Sequence, residues 1–237
     1  MHLLIDLLLI AALVGSAGVL AALLAARRRR SSRRSRQSHE LAMGFAAEDP
    51  FDLPRRYAQF SLLGRGHGLR AHDVTYGRYG GHRARCFEVR LEQGHGPHRL
   101  IRRASAVAVE TDHDLGVVLL WHDRDAEGRE LFLPPAAGQV GPWRCCGPAQ
   151  AVEALAGACG LSQGAGASIE VRGGVLLLWV PHLTADTTAW LAEAARAVAA
   201  LTGPAEDETA GSPPLHSAAP PDTKSAGAGP AAAPEWE

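Results

Sequence analysis

Asp112-His113-Asp114 is the densest polar cluster beside an apolar run in this chain, which has eleven histidines among 237 residues. An imidazole flanked by two carboxylates has the residue types for general acid and base work, provided a pocket perturbs their pKa values. Gly64-Arg65-Gly66-His67-Gly68 is glycine-rich, and its amides could cradle an anion. His95 and His98 could approach one ion on a turn, with His67, His72, His82, His113 and His122 as further ligand types. His67, His113 and Asp114 are thus the ligand-binding candidates. A tight loop before a strand and a solvated turn are the plainer readings of the same residues.

Several chemistries find no support. The chain has no G-x-x-x-x-G-K-[ST] or H-E-x-x-H sequence and no kinase-like set. No predicted helix carries a carboxylate and histidine pair at the spacing of a metal site, so neither a metal ion nor a cofactor is expected, and no catalytic residue is assigned. Cys145 and Cys146 are adjacent, which suits neither the paired C-x₂-C of a zinc site nor a disulfide between them. With Cys86 and Cys159 they read as small buried hydrophobes, reduced in a cytoplasmic domain.

The elements that must hold these residues begin with an apolar run, Leu3 to Ala26, in which Asp6 is the only charge. Its 24 residues make roughly 36 Å of helix, against a bilayer core of about 30 Å. The sequence therefore predicts a single-pass membrane anchor over 1–30 with its basic flank. Arg27, Arg28, Arg29, Arg30, Arg33, Arg34 and Arg36 follow it with no acidic residue among them. That flank points to the cytoplasm by the positive-inside rule and attracts anionic lipid headgroups, at about 1 kcal/mol per basic residue. Directly abutting the helix, it reads as a topology signal, and no nucleic-acid partner is expected. Small residues at four-residue spacing (Ala17, Ala21 and Ala25; Gly18, Ala22 and Ala26) suggest a homo-oligomer formed through this helix.

Beyond the anchor the pattern predicts a polar basic stalk over 31–49, a soluble α+β domain over 50–203 and a disordered Pro/Ala/Gly-rich tail over 204–237. The net charge of −1 hides a division, since subtracting the seven arginines leaves about −8 for the rest of the chain. Arginine outnumbers lysine 23 to 1, a coding bias rather than chemistry. Gly80-Gly81 and Gly173-Gly174 each sit between alternating runs and predict hairpins. In Arg83 to Glu92, Phe87, Val89 and Leu91 share one face, read as core, while Glu88, Arg90 and Glu92 share the other, read as solvent. A short strand is expected around Leu131 to Leu133. Helices are expected from Pro148 to Gly160 and from Thr184 or Asp186 to Gly203. The expected fold class is one transmembrane helix, then a mainly antiparallel sheet with about two helices packed on one face.

The run DPFDLPRRYAQFSLLGRGHGLRAHDVTYGRYGGHRARCFEVRLEQGHG, followed by VAVETDHDLGVVLL, resembles a family of uncharacterised bacterial proteins with one amino-terminal membrane helix and one soluble domain. The L-P-x-x-Y-x-x-F lead-in, the G-x-G-H loop and Phe87 in the returning strand carry the likeness. It implies architecture, and structural roles for His67, Tyr76, Gly77 and Phe87, but no activity. The expected function is a membrane-anchored cytoplasmic interaction or scaffold domain with an unidentified protein partner. The alternative is a membrane-proximal enzyme or small-ligand domain using the Gly64 to His72 loop and the Asp112 to Asp114 turn.

Overall fold

A computed structural model of the chain describes residues 2–64, 67–93, 96, 100–122, 133–180 and 186–203. The predicted strand at 131–133, His95, His98 and the carboxyl-terminal tail from 204 onward lie wholly or mainly outside them.

Nine strands form one sheet in the order β1-β2-β3-β4-β9-β8-β5-β7-β6, every neighbouring pair antiparallel. Their ranges are β1 Gly44–Glu48, β2 His67–Tyr79, β3 His82–Gln93, β4 Leu100–Glu110, β5 Val117–His122, β6 Gly138–Val140, β7 Trp143–Cys146, β8 Ser168–Arg172 and β9 Val175–Val180. The helices are α1 His2–Glu40, α2 Leu53–Arg56, α3 Ala149–Ala158, α4 Gly160–Ala165 and α5 Thr187–Thr202. Gly80 and Gly81 adopt φ of 57° and 86°, the left-handed geometry that a two-residue hairpin needs and that glycine supplies without Cβ strain. At the other diglycine, a Cβ on Gly174 would stand 2.5 Å from the carbonyl oxygen of Thr111, so the close approach of the two backbones there requires glycine.

Period-2 alternation gives the sheet two apolar faces. Cys86, Val107, Val109, Leu120, Ile169 and Leu178 pack with Leu155 of α3 and Trp190, Leu191 and Val198 of α5. On the opposite face Phe87, Val89, Leu91, Ala106, Leu177 and Trp179 are covered by Leu53, Tyr57, Phe60, Leu62 and Leu63 of the lead-in segment. That segment carries the aromatic residues noted in the sequence; Tyr57 stacks on Phe87 with ring centroids 6.3 Å apart. Asp186 caps α5 by accepting a hydrogen bond of 3.0 Å from the Ala189 amide.

The expected fold class is corrected on two points. The domain is a nine-stranded antiparallel sheet with few helices, covered on both faces rather than one. In addition, no helix among the described residues is long and apolar enough to cross a membrane, so the transmembrane, single-pass and membrane assignments fall with it. α1 continues through the arginines that follow as far as Glu40.

The end of α1 is fixed by a tight terminus. The Ala42 amide donates to the carbonyl of His39 at 3.0 Å and the Met43 amide to that of Ser38 at 2.8 Å, while Ala42 takes a left-handed φ of 54°. This is a Schellman termination with alanine where glycine is usual. It turns the chain directly into β1, which pairs with β2.

Candidate functional site

Three polar or exposed features survive once the apolar cores are formed. The first lies where the end of β4 meets the lead-in segment. Glu110 accepts from Tyr57 Oη at 2.7 Å, from Arg85 Nη1 at 2.5 Å and from Arg56 Nε at 3.0 Å. Arg85 Nη1 also donates to Tyr57 Oη at 2.7 Å. Burial alone would raise the Glu110 pKa, but the hydrogen bonds from Tyr57 and Arg56 and the charges of Arg85 and Arg56 outweigh it and hold the carboxyl below its ordinary value. Burial first, and then the bond to Glu110, push the Tyr57 hydroxyl well above the ordinary phenol value, so it stays a donor. A cleft of about 550 Å³ opens over this network, with His82, Arg83 and His113 on its walls.

The predicted ligand residues do not converge. His113 lines that cleft, exposed, in the turn after β4, with its amide donating to Thr111 Oγ1 at 3.3 Å. Asp114 is committed to the same turn, accepting from the Gly116 amide at 2.9 Å. His67 stands at the start of β2 opposite Glu92, whereas Glu110, just before the turn, pairs with Arg83. Those two partners are the ends of β3, about 30 Å apart at about 3.3 Å per residue. The Gly64 to His72 loop is likewise corrected, since residues 67–72 belong to β2.

The second feature was missed by the sequence reading. Glu88, assigned to a solvent face, is 5% exposed because the end of α1 packs against β1 and β2 and its Arg34 reaches across to β3 and β4. Arg34 Nη2 stands 2.9 Å from Glu88 Oε1, with both side chains less than a tenth exposed. The same guanidinium reaches the Asp73 carbonyl at 3.5 Å and Ser105 Oγ at 3.4 Å. Of the seven arginines expected to flank a membrane, Arg34 is therefore inside the domain, while Arg28, Arg29, Arg30, Arg33 and Arg36 are exposed and Arg27 lies within α1. His72 and Asp73 complete this cluster. Their ligand atoms and that of Glu88 lie within 4.8 Å of one another.

The third feature is the apolar stretch of α1. Every residue from 12 to 26 is exposed, and Leu13, Val14, Val19, Leu20, Leu23 and Leu24 are 52% to 72% accessible. Nothing lies within 4 Å of a Cβ built on Gly15 or Gly18.

Fold and features together define an antiparallel-sheet domain with a buried polar cluster beneath a long helix. Neither a family model nor a curated protein sequence matches the chain. Among solved structures, the crystal structure of the mycobacterial trehalose monomycolate transport factor A, TtfA, is similar with a TM-score of 0.48 and 16% sequence identity. That likeness covers 74% of this chain and 96% of the other. At this level it assigns no activity, site or partner.

Proposed function

We propose that the chain is an interaction domain in which the sheet holds α1 and the exposed apolar stretch of α1 engages another helix, first of all that of a second copy. The observation that supports this is that every residue from 12 to 26 is exposed, among them six large aliphatic side chains. A helix that is apolar all round is stable only when something covers it, and among the described residues nothing packs on it beyond the cleft that Leu23, Leu24 and Ala26 share with the domain. The small-residue ridges at Ala17, Ala21 and Ala25 and at Gly18, Ala22 and Ala26 let a second helix come close, and the leucines between them supply the apolar area. The reading places the domain in the cytoplasm, a compartment that suits four cysteines without a disulfide, three of them buried.

The test uses the full chain with a photo-crosslinking residue at Leu20 and, as control, at Gln139 on the edge strand β6. An adduct of twice the chain mass from position 20 but not from 139, lost in the Leu20→Glu, Leu24→Glu double variant, is expected. A chain that stays monomeric at high concentration, or that crosslinks at position 20 only to lipid, would overturn the reading.

A further inference from the structure

We propose that His72, Asp73 and Glu88 bind one divalent transition-metal ion where α1 crosses the sheet. The ladder and its irregularity bring the three together. His72 and Glu88 are direct cross-strand partners, so they share a face of the sheet. In a regular strand Asp73 would point to the other face. However, the register shifts between His72 and Thr75, and Asp73 takes a left-handed φ of 50°, so the bulge turns its carboxylate into the same cluster. An aspartate tolerates that backbone better than most residues, but the strained geometry persists only where its surroundings hold it.

The donor atoms are already oriented. His72 Nδ1 is 3.1 Å from the carbonyl oxygen of Glu88, which can only accept, so Nδ1 carries a hydrogen and Nε2 is the atom left to meet an ion. Nε2 stands 3.9 Å from Glu88 Oε2. Two ligands held at about 2.0–2.2 Å from one ion lie roughly 3–4 Å apart, so this pair spans an ion with little movement. Arg34 occupies Glu88 Oε1, leaving Oε2 for the ion.

Charge singles out the same place. Four carboxylates are buried among the described residues: Asp73, Glu88, Glu170 and Glu193. Glu88 has Arg34; Glu170 accepts from the Ser61 amide at 2.7 Å and Arg172 Nε at 2.5 Å; Glu193 accepts from the Ser162 amide at 2.8 Å and from the Ser162 hydroxyl. Asp73, 7% exposed, has no hydrogen bond or ion pair on its carboxylate among the described residues. Asp73 lines the cleft beside the cluster, and a bound cation would give its carboxylate a partner. One imidazole and two carboxylates suit Zn²⁺, Mn²⁺ or Fe²⁺ rather than Mg²⁺ or Ca²⁺, which take oxygen ligands. Three protein ligands leave coordination positions facing a cleft of about 980 Å³ rimmed by Arg30, Arg70, Arg90 and Arg103. Water or an anionic group could complete the sphere there.

The experiment titrates the full metal-stripped chain with Zn²⁺ by calorimetry. One equivalent is expected in the natural chain, with affinity lowered about tenfold or more in Asp73→Asn and in His72→Gln, and unchanged in His113→Gln. Circular dichroism checks that each variant is folded, and Co²⁺ absorption bands on the natural chain report nitrogen and oxygen coordination independently of any variant. Absence of a stoichiometric site, or binding that persists unchanged in folded Asp73→Asn and His72→Gln, would overturn the proposal.

Discussion

Arg34 Nη2 on α1 lies 2.9 Å from Glu88 Oε1 on β3, and this buried ion pair is the polar joint between the helix and the sheet. Removing one member leaves the other's charge desolvated and unpaired, which costs more than the pair itself contributes. Arg34→Ala is expected to lower stability by about 3–5 kcal/mol, whereas Arg28→Ala, on the exposed side of the same helix, changes it by about 0.5 kcal/mol or less. Urea unfolding midpoints of the two variants check this.

At the end of that helix, Ala42 occupies the left-handed position of the Schellman turn, where a Cβ is unfavourable. Ala42→Gly is expected to stabilise the domain by about 0.5–1 kcal/mol, relief of the backbone strain exceeding the added entropy of the unfolded glycine. The same exchange in the interior of α3, Ala154→Gly, should destabilise by a similar amount, because there the backbone is helical and glycine only adds entropy to the unfolded chain. Thermal midpoints of the pair distinguish a conformational cause from a packing one.

The diglycine hairpins were legible because positive φ at a tight turn is a local demand that few residues meet. The alternation of Phe87, Val89 and Leu91 was legible because it has the strand period. Glu88 was not, since alternation says which residues share a face and nothing about what covers that face. Arg34 escaped for the same reason: within a run of seven arginines, sequence does not tell which one the helix turns inward. Asp73 joins His72 and Glu88 only through a bulge, so a search for metal ligands at helical spacing passes over them. The apolar run at the amino end was over-read, because hydropathy measures composition and the helix it belongs to continues through charged residues into the domain.

The cysteines differ in what a thiol reagent can reach. Burial pushes the Cys86 and Cys159 thiols up to about 12, and burial with the neighbouring Cys146 raises Cys145. Cys146 is only half-buried, with its thiol 3.1 Å from the Pro135 carbonyl oxygen. Since the thiolate is the reacting form, Ellman's reagent at about pH 8 should titrate one fast thiol in the native chain and four after denaturation. Cys146→Ser should abolish the fast phase and leave the other three unchanged.

Glu110 gives the domain an acid limit. Its native pKa lies below the ordinary value because Tyr57, Arg56 and Arg85 stabilise the carboxylate beyond the penalty of burial. The native state therefore holds its proton less tightly than the unfolded chain does. The stability this supplies is fully present above the ordinary carboxylate value of about 4.3 and is lost as pH falls through the depressed native value. Glu110→Gln keeps the shape but not the charge, and leaves Arg85, itself mostly buried, without its counter-ion. The variant should be less stable than the natural chain by about 1.5–3 kcal/mol at about pH 7, the range for hydrogen bonds to a charged group. The difference should shrink steadily below about pH 4, as the natural chain's own Glu110 becomes protonated. Unfolding midpoints of both chains between about pH 2.5 and 7 measure it, and a gap that stayed constant with pH would mean that the network contributes through shape alone.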